Sequence, residues 1–304
     1  VEGHAMILLI LFIAILAIPF IAEWRRIPMD DWARADAPGA FAKLSNGTTH
    51  YRFYGSQDGP MIVCVHGLTT PSFVYEGLAE RLVKRGYRVL VYDHYGRGYS
   101  DRPQGDQDRH FFVAHLEELL AHLDINTPFD LVGYSMGGWV VTAYAASNPK
   151  MIKRLFLLAP AGMGNELGWR AKLVRDVPVI GDWLFLASYA AQHRRGCEIE
   201  RALQSTVPFV VDRQQKELQY RGFIPSVLAS LRGALANDTK EDHQRIGYYD
   251  LDVRAIWGAD DVVIPLSCKD QLEVWNPKVR HRVIEGAGHG VTYTHTDAMM
   301  DMFD

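Results

Sequence analysis

The sequence predicts an α/β fold in which a mostly parallel central sheet carries helices on both faces and a helical cap is inserted late in the chain. Short apolar strands rich in Val, Leu and Ile alternate with helices, as in parallel sheets covered on both sides. The alternation breaks over residues 162–247 and then resumes. We therefore assign residues 41–161 and 248–304 to the core and residues 162–247 to the cap.

Each element of the core has its own signal in the sequence. Ahead of the break, the apolar patterns and their Gly and Pro boundaries predict the strands "THYRFYG", "MIVCVHG", "YRVLVYD", "FDLVGYS" and "IKRLFLLAP", with the helices "YEGLAERLVKRG", "HFFVAHLEELLAHL" and 136–147 between them. After the break they predict the strands "LDVRAIWG" and "VRHRVIE", a helix near "LSCKDQLEVW" and a last helix after Thr294. The insertion is helical in composition and carries many aromatic side chains. Because ligands of such sheets bind beyond the carboxyl ends of the strands, the insertion is placed to act as a lid.

The first 22 residues are predicted to form an apolar helix that anchors in a membrane or docks on protein. Residues 5–22 contain no charged side chain, and 18 helical residues span roughly 27 Å, close to the hydrocarbon thickness of a bilayer. We interpret residues 1–5 as a cloning remnant ahead of a native start at Met6. Because the stretch lacks a polar face, a buried helix of the globular fold is the less favoured alternative. Because an isolated apolar helix would not be stable in water, we expect it to pack in a groove or on a neighbouring subunit.

A polar connector, residues 23–40, follows the apolar helix and indicates its orientation. Arg25 and Arg26 stand directly after the apolar run, and basic residues favour the cytoplasmic side of a membrane. No Lys or Arg precedes the run and no clear cleavage site follows it, which argues against a secretory signal peptide. The sequence thus predicts a membrane-associated protein whose body faces the cytoplasm.

Composition excludes several classes of function. A net charge of −4 gives no reason to expect a nucleic-acid partner. The three cysteines, Cys64, Cys197 and Cys268, are far apart and match no metal-ligand spacing. Neither a phosphate-binding loop nor a dinucleotide-binding glycine pattern is present, so we expect neither a metal nor another cofactor.

The segment Gly133-Tyr134-Ser135-Met136-Gly137 lies between a predicted strand and a predicted helix. At a very tight strand-to-helix turn the central residue is strained, and its neighbours two places before and after crowd each other, so glycine is wanted at both. Such a turn exposes the Ser135 hydroxyl at the top of the sheet. The alternative is that the glycines only allow close helix–strand packing, which predicts no partners elsewhere.

The partners that a catalytic serine requires are present in the expected order. "GADDVVIP" places Asp260 and Asp261 in the turn after a later strand, and "GAGHG" places His289 in the loop after the next. After an early strand, "VHGLTTP" offers the backbone N–H of Leu68, which with that of Met136 is predicted to form an oxyanion hole.

Together these motifs resemble the α/β-hydrolase superfamily over the chain from about Ala40 to the C-terminus. The resemblance implies that Ser135 is the nucleophile, that His289 is the general base and then the acid, and that an aspartate orients His289. In that family the acid usually stands three residues after the glycine, which selects Asp261 over Asp260. It also implies that a histidine such as His66 is structural. Haloalkane dehalogenases and epoxide hydrolases are similar in fold but use aspartate where this chain has Ser135.

The charged loop "YDHYGRGYSDRP" resembles the turn after the fourth strand in the same family. We predict that Asp93, Arg97, Asp101 and Arg102 form a structural network of ion pairs there rather than a second reactive site.

The predicted activity is hydrolysis of carboxylic esters through an acyl-serine intermediate. The apolar side chains of the cap favour an apolar acyl or monoacylglycerol-like substrate, and the arrangement resembles that of membrane-anchored monoacylglycerol lipases. Hydrolysis of thioesters, lactones or carbon–carbon bonds remains open, as does a ligand-binding receptor that retains the triad. The expected partners are a small ester, a membrane or another copy of the chain, with a homo-oligomer possible.

Overall fold

The computed structural model of the chain describes residues 2–164 and 169–304, and its centre is one sheet of eight strands. The strands are β1 (Ala40–Leu44), β2 (Gly47–Tyr54), β3 (Met61–Val65), β4 (Arg88–Tyr92), β5 (Phe129–Tyr134), β6 (Ile152–Leu158), β7 (Asp252–Gly258) and β8 (Arg280–Ile284). Their spatial order is β1-β2-β4-β3-β5-β6-β7-β8, and all neighbours from β4 to β8 pair in parallel. The predicted α/β architecture with a mostly parallel sheet is confirmed.

Eleven α-helices are present in the described part of the chain. They are α1 (Glu2–Trp24), α2 (Glu76–Lys84), α3 (Arg109–His122), α4 (Met136–Ser147), α5 (Trp169–Asp176), α6 (Ile180–Ile199), α7 (Val210–Lys216), α8 (Phe223–Arg232), α9 (Lys240–Tyr248), α10 (Ser267–Trp275) and α11 (Val291–Thr294). The last helix differs from the prediction, because α11 ends at Thr294 and a 3₁₀ helix, Asp297–Phe303, takes the place of the expected α-helix.

The sheet begins with an antiparallel hairpin that the sequence pattern did not reveal. β1 pairs antiparallel with β2, and β2 pairs antiparallel with β4. β1 starts at Ala40, the last residue assigned to the connector, and only Ala42 of its five residues is fully buried. A half-exposed edge strand of this length has no apolar alternation by which it could be recognised.

The buried side chains of the strands form two apolar clusters, one on each face of the sheet. In β3, Val63 and Val65 belong to the cluster beneath α3 and α4, whereas Ile62 and Cys64 belong to the cluster beneath α2 and α11. Successive side chains of a strand point to opposite faces, so a strand covered on both sides is apolar at every position. Cys64 is a buried free thiol, as its position in the apolar run predicts.

The segment between β6 and β7 carries α5 to α9. A third apolar cluster is built around α6 and α8, and its buried members are Phe185, Leu218, Phe223, Ile224, Val227 and Leu228. Leu68, from the loop after β3, packs against this cluster, so the inserted helices lie over that loop. In contrast, α9 packs against α4 and α10 of the core. Residues 165–168 of the predicted cap, like Val1 of the predicted cloning remnant, lie outside the described residues.

Helix α1 is apolar throughout and is exposed along most of its length. Residues 3–24 have the length and composition to cross a membrane, which a signal sequence would share, and only 6% of the most apolar window is buried. Pro19 and Glu23, in the last two turns, are buried. The Glu23 carboxylate accepts a 2.6 Å hydrogen bond from the Gly222 backbone N–H. The expectation that the helix packs in a groove therefore holds only for its C-terminal end.

A buried histidine on α9 makes the stability of the fold depend on pH. His243 is fully buried beside Trp275, and burial lowers its pKa to about 3. The unfolded chain takes up a proton near pH 6.5 and the folded chain does not, so stability is complete above pH 6.5 and falls as the pH drops from 6.5 toward 3. The slope is about 1.4 kcal/mol per pH unit for this one group.

We expect His243→Leu to remove this contribution. Relative to the parent protein, its free energy of unfolding should rise by about 2 kcal/mol when the pH is lowered from 7 to 5. Urea unfolding followed by tryptophan fluorescence in a mild detergent measures the difference. His122→Leu on the exposed side of α3 is the control. A variant whose stability follows pH as the parent does would contradict the prediction.

Candidate active site

Ser135 stands at the junction of β5 and α4 in a backbone conformation that few residues other than glycine adopt. Its φ is 54° and its ψ is −119°. The strain is held by hydrogen bonds on both sides, since Ser135 N–H donates to the Leu158 carbonyl at 2.9 Å and the Ser135 carbonyl accepts from Gly138 and Ala161 at 2.8 and 3.0 Å. The turn lifts the side chain off the end of the sheet, as predicted for a sharp strand-to-helix bend.

The two glycines of the motif are required by close contacts at this bend. A Cβ on Gly133 would lie 2.4 Å from the Gly137 carbonyl oxygen, which is the predicted crowding across the turn. A Cβ on Gly137 would lie 1.9 Å from the carbonyl oxygen of Val65 at the end of β3. The second contact brings the start of α4 against the loop that carries Leu68.

His289 joins Ser135 to Asp261. Its Nε2 lies 3.0 Å from Ser135 Oγ and its Nδ1 lies 2.8 Å from Asp261 Oδ2. Because a carboxylate only accepts, Nδ1 carries the proton and Nε2 is left to accept from the Ser135 hydroxyl. The structure thus brings together three residues that are 28 and 154 positions apart in the chain.

Of the two neighbouring aspartates, Asp261 faces the histidine. Its side chain is fully buried, and its second oxygen accepts 2.8 Å hydrogen bonds from the N–H groups of Val263 and Ile264. Asp260 is exposed, and its backbone N–H donates to the Ala287 carbonyl at 2.9 Å. The turn after β7 therefore fixes one carboxylate toward His289 and leaves the other in water.

The two predicted oxyanion donors flank Ser135. Met136 is the first residue of α4, so its N–H has no acceptor within the helix. The turn that carries Leu68 is in contact with the serine, since a Cβ on Gly67 would lie 3.2 Å from Ser135 Cβ. Within the described residues neither N–H donates a hydrogen bond. Both are free to bind an anion, and the positive end of the α4 dipole favours one there.

His66 holds the Leu68 turn without titrating near neutral pH. It is fully buried, and burial lowers its pKa to about 4. Its Nε2 accepts a 2.9 Å hydrogen bond from the His94 backbone N–H, so the proton is on Nδ1, which lies 2.8 Å from the Gly67 carbonyl oxygen. These contacts fit the structural role that the resemblance implied.

Two further side chains tie the surrounding loops to the site. The Tyr134 hydroxyl, within the serine motif itself, donates to the His289 carbonyl at 3.1 Å. Gln214 on α7 is buried and donates to Thr70 Oγ1 at 3.0 Å, which joins the inserted helices to the Leu68 loop. Tyr134 could have been identified from the serine motif, because it lies within it. No pattern in the sequence identifies Gln214.

The charged loop after β4 is only partly the ion-pair network predicted. Asp93 pairs with His50 at 2.8 Å, Asp101 pairs with Arg34, and Arg102 lies 3.6 Å from a Glu217 oxygen. For Arg97 the prediction was wrong. Its guanidinium contacts no carboxylate among the described residues and donates to neutral oxygens, because the loop folds it inward under α8 rather than toward the acidic side chains.

The serine bend, the buried Asp261–His289 pair and the parallel sheet define a hydrolase fold. A family model described as the alpha/beta hydrolase fold matches residues 60–296. The chain belongs to this family, and the resemblance drawn from its motifs is confirmed.

Known proteins similar to this chain are described as hydrolases of different bonds and also as haloperoxidases and decarboxylases. A 2-hydroxy-6-oxononadienedioate/2-hydroxy-6-oxononatrienedioate hydrolase of Cupriavidus pinatubonensis is 26% identical, with 86% of this chain and 92% of that protein covered. Among solved structures, the enol-lactonase from Burkholderia xenovorans has a TM-score of 0.68 at 21% identity, with 87% and 98% covered. An esterase from Exiguobacterium antarcticum has a TM-score of 0.71 at 21% identity, with 87% and 97% covered. These structural likenesses concern the fold, and they support a hydrolase while leaving open the bond that it cleaves.

Proposed function

We propose that the protein is a serine hydrolase that cleaves carboxylic esters with apolar acyl groups through an acyl-Ser135 intermediate. The observation that carries the proposal is the hydrogen-bonded series from Ser135 Oγ through His289 to the buried Asp261 carboxylate. Serine is a weak nucleophile at neutral pH, and this series supplies a base that is already within reach of its proton.

In the proposed mechanism His289 Nε2 takes the hydroxyl proton as Ser135 Oγ attacks the acyl carbon. Asp261 keeps the other ring N–H in place and stabilises the imidazolium without taking its proton. The N–H groups of Leu68 and Met136 stabilise the oxyanion, and His289 then gives its proton to the leaving alcohol. Water activated by the same histidine hydrolyses the acyl-enzyme.

The surroundings of Leu68 favour an uncharged, apolar acyl group. The apolar cluster on α6 and α8 packs directly against Leu68. The buried cation beside it, Arg97, already uses all five of its N–H donors within the protein and has none left for a substrate carboxylate. A dicarboxylate such as the one named for the Cupriavidus relative is therefore the less favoured substrate.

We further propose that α1 anchors the protein in a membrane with the catalytic body on the cytoplasmic side. The helix is apolar and exposed, Trp24 is 68% exposed at its end, and Arg25 and Arg26 follow. Aromatic side chains are enriched at both interfaces of a bilayer, and basic side chains are enriched on its cytoplasmic side. Such an anchor would hold the site near lipid-derived esters, including monoacylglycerol-like substrates.

A series of p-nitrophenyl esters tests the proposed substrate class. We expect steady turnover, with kcat/KM rising from acetate through butyrate to octanoate, because each added methylene transfers from water to the apolar cluster. A single slow turnover would instead indicate a ligand-binding receptor. A parallel assay with a monoacylglycerol, a thioester, a lactone and a vinylogous 1,5-diketone identifies the bond, and faster cleavage of any of the last three would contradict the ester proposal.

A further inference from the structure

Arg97 is a fully buried cation whose five N–H donors are all hydrogen-bonded to uncharged oxygens. Nε donates to the Leu68 carbonyl at 3.0 Å. The two terminal nitrogens donate to the Tyr95 carbonyl at 3.1 Å, Gln107 Oε1 at 2.7 Å, the Ser226 carbonyl at 3.2 Å and Ser230 Oγ at 2.7 Å. Every donor of the guanidinium therefore has a fixed direction.

Burying this charge is costly, and the Glu217 carboxylate, which attracts Arg97 without forming an ion pair with it, offsets that cost only in part. Its relative exposure is 0%, and burial lowers its pKa to about 9, so it stays protonated at neutral pH. In the described part of the chain no carboxylate lies within ion-pair distance of it. A buried cation without a paired anion is unfavourable in the resting protein, and it becomes favourable when a negative charge forms nearby.

The acceptors of Arg97 connect the Leu68 loop, whose Gly67 lies against Ser135, to the inserted helices. The Leu68 carbonyl belongs to the residue whose N–H is a proposed oxyanion donor, and Ser226 and Ser230 belong to α8 of the inserted helices. Gln107 completes the connection, since its side-chain oxygen also accepts from Ser230 Oγ at 2.6 Å. The guanidinium thus fixes the loop after β3 relative to the helices that cover it.

We infer that Arg97 is a positioning residue for the oxyanion hole, which holds the Leu68 turn in place and lends a buried positive charge to the developing oxyanion. This inference rests on the proposed serine mechanism. Arg97 acts through Leu68 and has no donor left for the substrate. The contribution appears in the tetrahedral state, where the negative charge exists, and not in binding of the neutral ester.

Arg102, in the same loop, supplies a matched comparison. It is also largely buried and donates to the Ser100 and Gly98 carbonyls at 2.6 and 2.9 Å, but unlike Arg97 it lies within ion-pair distance of Glu217, at 3.6 Å. If both buried arginines are purely structural, Arg97→Lys and Arg102→Lys should change kcat to a similar extent. The positioning role predicts a catalytic defect only for the first.

The test compares the full-length parent protein with Arg97→Lys, Arg97→Met and Arg102→Lys in detergent micelles, with thermal unfolding of each. We expect kcat for p-nitrophenyl butyrate to fall by about 10-fold for Arg97→Lys and about 10²-fold for Arg97→Met, while KM changes by less than about threefold. Arg102→Lys should retain the parent kcat even where its melting temperature is lowered.

Affinity for phenylboronic acid supplies a second readout that does not require an ester. The boronate forms a tetrahedral, negatively charged adduct with a reactive serine, and its Kd should weaken for the Arg97 variants by the same factors as kcat. An equal loss of kcat in Arg97→Lys and Arg102→Lys, or a change in KM alone, would overturn the inference. Normal adduct formation by a parent protein that cleaves no ester would contradict the ester proposal and leave the Arg97 comparison valid. A parent protein that neither cleaves esters nor forms the boronate adduct would overturn both the ester proposal and the Arg97 inference.

Discussion

Replacing Ser135 by alanine should lower ester turnover by about 10⁴- to 10⁶-fold without unfolding the protein. The substitution removes the oxygen that lies 3.0 Å from His289 Nε2 and nothing else. Alanine keeps the Cβ, and the backbone hydrogen bonds to Leu158, Gly138 and Ala161 do not involve the hydroxyl. Initial rates with p-nitrophenyl butyrate measure the loss of turnover. Circular dichroism and thermal unfolding measure whether the fold is retained.

Ser147→Ala is the control for this experiment. Ser147 is the last residue of the same helix, and its hydroxyl donates only to the Ala143 carbonyl, at 3.1 Å. This variant should keep the parent rate. Turnover by Ser135→Ala at the parent rate would show that another group is the nucleophile, and the proposed mechanism would have to be abandoned.

The second large effect is expected for Asp261→Asn, which should lower kcat by on the order of 10⁴-fold. One oxygen of Asp261 accepts the N–H groups of Val263 and Ile264. The asparagine oxygen would take that position, and its NH₂ group would then face His289 Nδ1. An imidazole that accepts at Nδ1 carries its proton on Nε2, where it cannot receive the proton of Ser135.

Asp260→Asn separates this effect from a general loss of negative charge in the turn. Asp260 is exposed beside Asp261, so the change should leave kcat within about twofold of the parent value. The same substrate and thermal unfolding assays apply to both variants. A larger loss in Asp260→Asn than in Asp261→Asn would reverse the assignment of the acid.

The sequence predicted the elements around the site closely because each has a strong local cause. Helix α4 begins and ends at the predicted residues, Met136 and Ser147, since the strained serine precedes it and Asn148-Pro149 ends it. The buried strands β3 and β5 were recognisable because both of their faces are covered, which makes every position apolar. The serine motif, the later aspartate and His289 were found by their order and their neighbouring glycines.

The features that the sequence did not reveal depend on partners far along the chain. β1 is a strand because β2 pairs with it, and its own residues carry no alternating pattern. Arg97 looked like a member of an ion-pair network, because a sequence shows which charges are near in order and not which side chains turn inward. Helix α1 is tied to the body through Glu23, which accepts a hydrogen bond from the backbone N–H of Gly222, 199 residues away.

By itself, the sequence determined the order of the core strands from β2 to β8 and of the helices between them, the bend at Ser135 and the candidates for its partners. These follow from backbone sterics and hydrophobic periodicity, which act over a few residues. Only the tertiary structure decided that Asp261 and not Asp260 faces His289, that Leu68 lies under the inserted helices, and that Arg97 connects the two. Hydrogen-bond direction and burial are set when distant segments pack, and no local rule contains them.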